Sequence, residues 1–455
     1  VAFAAGVFYE NSSVKSNGVD YLPNAHPTYF DVLDQAGYAT MISGKDHLNG
    51  KEGVGLDGSR AASSLGYTRQ GYRSNDKYGI GHSSGPKDPY GAMLFEKGGG
   101  SFEEQSACYG SMGDGKCCLP LVCQGFPSTN STQTRNECGF NCPVPDPVDE
   151  LDSIDAWVER NAERLLAEHM SNHSGTPWYL TVGFPSPHPP FILSPSENKT
   201  VSTIDFPSPT DNQLFPPEIV HGSRRQYAGL VGRLDRLIGR LIQFLEQRDL
   251  LSNTLVMVTS DHGEHLGDWG YFGKASPWEV STRVPLVVAG PGVLQGRVVD
   301  DPVTTLDLVG TMLDYAGTSV AYGMDTTSLR PLLTGQASTP PRDWVPTSLE
   351  TAGEGSYFYN VVQRFPHLNA TLKLVCCQSA ETCIKHTGAL MPFTGPASQV
   401  ALMALGRESP GDVENLLRRA RPELRHCAEG NEMLARMPIG WQKACGFAFH
   451  ASCLA

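Results

Sequence analysis

Asn253-Thr-Leu-Val-Met-Val-Thr-Ser-Asp261-His262-Gly263-Glu264, continuing through Lys274 to Arg283-Val-Pro-Leu-Val-Val-Ala-Gly290, is the stretch from which the fold is read. Leu255 to Val258 is short, apolar and partly β-branched, which reads as a buried strand of a parallel sheet. It ends in Ser-Asp-His-Gly, so an acid, an imidazole and a permissive glycine sit at a strand's carboxyl end. Open α/β sheets bind their ligands at that edge. Lys274 follows in a Gly-rich loop, and Val284 to Ala289 reads as a second buried strand. Asp261 and His262 offer oxygen and nitrogen to a metal, and Lys274 offers a point charge. That set suits an anionic ligand held by a cation.

A bare Asp-His-Gly after a strand is as readily a polar turn. The whole stretch, however, resembles the sulfatase family of the alkaline-phosphatase superfamily. That family carries a Ser-Asp-(Asn or His)-Gly-Glu turn, a lysine shortly after it, and an Arg-Val-Pro-Leu strand, as here. Trp269 departs from it, standing where many relatives have a histidine. The resemblance implies an α/β fold: an alkaline-phosphatase-like, mostly parallel sheet flanked by helices on both faces, with a smaller C-terminal α+β domain.

Working upstream, Arg225 to Asp249 carries one apolar stripe from Tyr227 through Leu230, Leu234, Leu237 and Leu241 to Leu245, and is the clearest helix. Asp235, near that stripe, is expected to be a buried, paired acid. Trp178 to Phe184 reads as a buried strand that empties into Ser186-Pro-His188-Pro-Pro-Phe191. Prolines on either side stiffen the loop around His188. The motif resembles the family's Pro-His-x-Pro-Phe, which implies that His188 contacts the sulfate. Asp149 to His169 is expected to be an amphipathic helix. Thr28 to Ala36 reads as a short helix with Thr28 as its cap and Gly37 as its stop, followed by a strand from Tyr38 to Ser43. The run Gln35-Ala-Gly-Tyr-Ala-Thr-Met-Ile-Ser-Gly-Lys45-Asp-His47-Leu48 resembles the family's Ala-Gly-Tyr…Gly-Lys-x-His-Leu block, and this implies that Lys45 and His47 are active-site members.

Downstream, Thr304 to Gly317 reads as a helix, and Ser328-Leu-Arg-Pro-Leu-Leu-Thr-Gly335 resembles another family block. The composition turns polar near Gln336 to Trp344. A core domain of residues 1–338 and a cysteine-stapled C-terminal domain of 339–455 are therefore expected, the latter with a helix near Val413 to Arg419. Pro86 to Pro147, rich in Gly, Ser, Pro and Cys, reads as a stapled insertion in the core.

A net charge of -13 across 455 residues argues against nucleic acid, and attraction for an anion must come from local cations. No stretch is long and apolar enough to be a transmembrane segment. The 12 cysteines fall in two groups, Cys108 to Cys142 and Cys376 to Cys453. Even clusters of irregular spacing read as disulfides of an oxidising compartment rather than zinc sites. Asn-x-Ser/Thr sequons begin at Asn11, Asn130, Asn172, Asn198 and Asn369. A glycoprotein of the secretory pathway, extracellular or lysosome-like, is the expectation.

The family's Cys/Ser-x-Pro-x-Arg motif, whose first residue becomes a formylglycine nucleophile, does not occur here. Val1 to Gly6 looks like the short apolar run that follows it, so the sequence is read as N-terminally truncated, with formylglycine expected upstream and these residues alone inactive. The resemblance implies a sulfuric ester hydrolase using a divalent metal, usually calcium, held in part by Asp261 and His262. Lys45 and Lys274 would bind sulfate oxygens, and His47 and His188 would orient the nucleophile or deliver protons. All six side chains are expected to converge at the carboxyl edge of one sheet, and the substrate would be a sulfated small molecule or carbohydrate. A phosphonate or phosphodiester hydrolase of the same superfamily, or an inactive sulfatase-like glycoprotein, stays open as an alternative.

Overall fold

The structure is a computed structural model that describes residues 28–44, 150–188, 191, 193–209, 215–274, 276–319, 323–351, 355–377, 400–405, 427–439, 442 and 445. These divide into two compact units: the first holds residues from 28 to 208 and from 216 to 253, the second Pro209, Phe215 and those from Thr254 on.

The first unit starts with α1 (Tyr29–Gln35). Thr28 and Asp31 close a capping box, the hydroxyl accepting from Asp31 N at 3.3 Å and the carboxylate from Thr28 N at 2.8 Å. Tyr29, Phe30 and Leu33 turn inward. The chain then enters β1 (Ala39–Gly44), buried throughout, which pairs in parallel with β2 (Trp178–Gly183) from Ala39 opposite Trp178 to Gly44 opposite Gly183. Gly44 needs its missing side chain: its φ is +97°, and a Cβ would stand 2.2 Å from Gly183 O.

Parallel neighbours require a crossover, and α2 (Ile154–Asn172) lies between them in sequence. Ser153 caps it by accepting from Ala156 N, and Val158, Ala162, Leu165 and Leu166 form its buried face. Ser43 of β1 donates to Val158 O at 2.8 Å, and Asn161 donates to that same hydroxyl at 2.9 Å. The helix is thereby fixed against the strand by polar bonds as well as apolar packing. β2 is half-buried along its length rather than buried as its composition implies.

After α3 (Pro195–Val201) comes α4 (Pro217–Glu246), 30 residues long. It begins at Pro217, well before Arg225, because Pro216-Pro217 presets the first turn while the following turns are too polar to show an apolar period. Leu230, Leu237 and Leu245 are buried as the stripe requires, and Phe244 is buried beside them, but Val231, which the spacing also puts on the stripe, is exposed. Asp235 is exposed too, which corrects the expectation of a buried acid. It lies two residues from both Arg233 and Leu237, roughly 200° around the helix from each. The charge the helix does bury is Arg233.

In the second unit, β3 (Val256–Thr259) pairs with β4 (Leu286–Ala289). The pairing is antiparallel, Val256 opposite Ala289 and Thr259 opposite Leu286, and both strands are only half-buried. The reading of two buried strands, the first in a parallel sheet, is corrected here for this pair. A parallel partner needs a crossover of a dozen or more residues, usually a helix, and among the described residues between these strands the only α-helix is α5 (Glu279–Thr282), a single turn. Among the described residues β1–β2 and β3–β4 are separate ladders.

Downstream come α6 (Leu306–Tyr315) and α7 (Arg330–Leu333). Strands β5 (Trp344–Thr351), β6 (Gly355–Phe365), β7 (Ala370–Cys377) and β8 (Val400–Leu405) form an antiparallel meander in chain order. Its apolar face, with Tyr359, Val361, Leu372 and Leu374, packs against Met433 and Leu434 of α8 (Cys427–Ala435) and against Met437. Cys376 bonds Cys445 across a Cα separation of 6.0 Å, joining two cysteines of the C-terminal group, as clustering leads one to expect. The Cys108 to Cys142 group, the 86–147 insertion and the helix near Val413 lie outside the described residues.

Candidate active site

β3 delivers the chain to Ser260, whose hydroxyl donates to His262 O at 2.8 Å and folds the backbone back at Asp261. Asp261 Oδ1 accepts from His262 N at 3.0 Å. Gly263 N donates to Ser281 O at 2.9 Å, and a Cβ on Gly263 would stand 2.0 Å from Val280 O. Only glycine allows the turn to lie this close to α5. His262 Nδ1 lies 2.9 Å from Gly263 O; a carbonyl can only accept, so Nδ1 carries the hydrogen. Nε2 then faces Asp261 Oδ2 at 3.4 Å, with the Asp261 side chain 68% exposed and that of His262 32%.

Glu264 closes the loop that follows, its carboxylate accepting from Leu266 N at 3.3 Å and from Gly273 N. Burial pushes its pKa above the ordinary value, against the opposing pull of those amides and of Lys274. Lys274 is partly buried, and burial pushes its pKa down while Asp261 and Glu264 hold it up. The lysine therefore sits in the field of both carboxylates, and it forms no hydrogen bond or ion pair among the described residues. Inside the loop His265 is buried, with Nδ1 3.0 Å from Asp268 O and Nε2 2.6 Å from the buried Ser276 hydroxyl. Trp269, at φ 61°, stacks on Trp278 with ring centroids 4.7 Å apart. Where many relatives carry a histidine, this chain has a buried wall.

The antiparallel meander supports the loop from below. Lys373 of β7, itself buried, donates to Glu279 Oε1 at 2.7 Å and to Thr282 Oγ1 at 2.9 Å, and Asn360 of β6 donates to Pro277 O at 3.3 Å.

Asp261, His262 and Lys274 are thus brought together in the second unit. His188 lies in the first, in a turn closed by its own N–H on Pro185 O at 3.1 Å. Lys45 and His47 fall outside the described residues. Sequence reading passed over two groups: Glu264, whose position in the motif was its only signal, and the buried set Asp155, Glu197 and Arg233. Arg233 joins Glu197 through Nε at 2.8 Å and through Nη2, and Asp155 through Nη1 at 3.3 Å. An arginine inside an apolar stripe was the available signal.

The Asp261–His262 pair fits a divalent cation as two of its donors. Ligands about 2.1 and 2.4 Å from one ion at right angles stand about 3.2 Å apart, close to the 3.4 Å found between Nε2 and Oδ2. A metal-bound histidine commonly gives its other N–H to a carbonyl, as His262 does to Gly263. No cluster of three or more ligand side chains occurs among the described residues.

The end of β3 thus carries an acid, an imidazole and a half-buried lysine, and comparison with known proteins places the chain in a family. The family described as Sulfatase matches residues 2–318, and the chain belongs to that family. A choline-sulfatase of Rhizobium meliloti (strain 1021) is 26% identical over 385 residues, 78% of this chain and 64% of the relative. The chain spans less than two thirds of the length of the first curated relatives it matches. Among solved structures, a phosphonate monoester hydrolase of Agrobacterium radiobacter has a TM-score of 0.62 at 16% identity, covering 99% of this chain and 85% of its own. BT4656, solved with its substrate D-glucosamine-2-N,6-O-disulfate, has a TM-score of 0.58 at 15% identity, covering 99% and 88%. The fold is the alkaline-phosphatase-like α/β fold of these neighbours.

Proposed function

We propose that the protein is a sulfuric ester hydrolase acting on a sulfated small molecule or carbohydrate, with a divalent cation, usually calcium in this family, and a formylglycine nucleophile. The observation that carries this reading is Lys274, a half-buried ammonium facing Asp261 and Glu264 beside the Asp261–His262 pair. Cleaving a sulfate ester needs an oxygen nucleophile, neutralisation of the charge on the sulfuryl oxygens and a proton for the leaving oxygen. Asp261 and His262 would hold the cation, which when bound would neutralise charge on the sulfuryl oxygens. Lys274 binds a sulfuryl oxygen, and its lowered pKa suits it to give up a proton to the leaving oxygen. Lys45 takes a second sulfuryl oxygen, and His47 and His188 orient the nucleophile or deliver protons. The core domain spans residues 1–338 and a smaller C-terminal domain 339–455. The secretory pathway, with an extracellular or lysosome-like destination, is supported by the Cys376–Cys445 disulfide and by the exposed sequon residues Asn172 and Asn369.

The test is Lys274→Ala in the intact protein, made in a host that forms formylglycine. Turnover of an aryl sulfate should fall roughly a hundredfold or more, as when one charge-stabilising donor is removed. An indifferent variant refutes the site. The likeness to the Agrobacterium radiobacter hydrolase favours a second reading, phosphonate monoester cleavage. The ratio of kcat/KM on an aryl sulfate to that on an aryl phosphonate monoester separates the two.

A further inference from the structure

We propose that Asp155 is a positioning residue for His188, clamping the Pro185–His188 turn through Ser186 and held in place by Arg233. The proposal rests on reading His188 as part of the active site.

Asp155 lies in the first turn of α2 and is fully buried. An acid in that turn ordinarily serves the helix N-terminus, but Ser153 already caps this one. Both Asp155 oxygens point instead to the His188 turn. Oδ1 accepts from Ser186 N at 3.1 Å, and Oδ2 accepts from the Ser186 hydroxyl at 2.6 Å and from Arg233 Nη1 at 3.3 Å. Pro185 and Pro187 have no N–H to offer, and His188 N is spent on Pro185 O. Ser186 is therefore the anchor point of that turn, and one carboxylate takes both of its donors. A buried carboxylate adds little net stability compared with an apolar side chain of the same size, but it specifies a single arrangement of the groups that bond to it. Arg233 completes the clamp, since its remaining nitrogens grip Glu197 of α3. α4 and α3 are thus linked, through Arg233 and Glu197, to the carboxylate of α2 that holds the His188 turn.

The competing account is that Asp155–Arg233 only ties α2 to α4, with Ser186 a bystander. Glu159 offers the control: it is a buried acid of α2 paired with Arg240 of α4 at 2.7 Å, and it bonds nothing in the turn. The experiment records histidine ring resonances by NMR on the intact protein, with His188 assigned through His188→Gln. Ser186→Ala and Asp155→Asn should shift the His188 resonances and their titration midpoint, Ser186→Thr should restore them, and Glu159→Gln should leave them in place. With an aryl sulfate, Ser186→Ala should lower kcat about tenfold with KM nearly unchanged, the signature of a misplaced proton carrier. Should Asp155→Asn not fold, the two Ser186 variants decide alone. Unmoved resonances in Ser186→Ala, or equal movement in Glu159→Gln, overturn the proposal. Wild-type turnover in His188→Gln overturns the reading of His188 itself, and with it any positioning role, whatever the resonances show of the anchor.

Discussion

Replacing Arg233 by Met tests how the first unit is held together. The Arg233 side chain is 4% exposed, and its partners Asp155 and Glu197 are 0% and 3% exposed. Removing the guanidinium leaves two carboxylates in a low-dielectric interior without their shared cation. Breaking a buried pair from one side costs about 3–5 kcal/mol. The lower end applies, because Glu197 keeps Arg236 at 3.2 Å and both Ser194 donors, and Asp155 keeps its two bonds to Ser186. In a domain of about 150–250 residues each kcal/mol moves Tm by about 2–4 °C, so a drop of about 6 °C or more is expected by thermal circular dichroism.

The pH dependence gives a second readout. Burial pushes the Glu197 pKa up, but the bonds and charge of Arg233 together with Ser194 outweigh it and hold the pKa below 4.5. A depressed carboxylate contributes stability that is present above its unfolded pKa and lost as pH falls through the folded one. Without Arg233 burial should dominate and raise the Glu197 pKa, so the variant gains stability from protonation where the wild type loses it. The deficit should therefore be largest near neutral pH and shrink below about pH 5. Arg233→Met with Glu197→Gln should recover part of the loss, because one orphaned charge is gone. A Tm drop under about 2 °C, a deficit indifferent to pH, or strict additivity in the double variant would refute the reasoning.

Three further outcomes are expected. Gly263→Ala should cost about 1–3 kcal/mol in urea unfolding and depress aryl sulfate turnover with it, since its Cβ meets Val280 O at 2.0 Å. Burial pushes the His265 pKa below 6.5, so stability should be complete above pH 6.5 and decline as pH falls toward the folded value. His265→Gln should flatten that decline in urea midpoints taken at about pH 8 and about pH 5.5. Paired replacement of Cys376 and Cys445 by Ser opens a link across a sequence separation of 69 and should cost about 4 kcal/mol in urea unfolding. A cost near zero would show that this link leaves the unfolded chain unconstrained.

Much of the architecture was legible in the sequence because its signals are local. Thr28 announced a helix start through its own capping bond, and Leu230, Leu237 and Leu245 marked the inner face of α4 by spacing alone. Asp261, His262 and Lys274 stood out because Ser-Asp-His-Gly closes an apolar run, and they do gather at the end of β3. Only the tertiary structure decided the rest. The direction of β4 against β3 follows from backbone pairing, to which an apolar run is indifferent, so the sequence pattern could not tell antiparallel from parallel. Arg233, exposed by any compositional rule, is buried because Asp155 and Glu197 reach it from helices far away in the chain. Asp235, two residues on and roughly 200° around the helix, faces water. A charged side chain's burial depends on which opposite charges the fold brings within reach, and those partners come from residues tens of positions away.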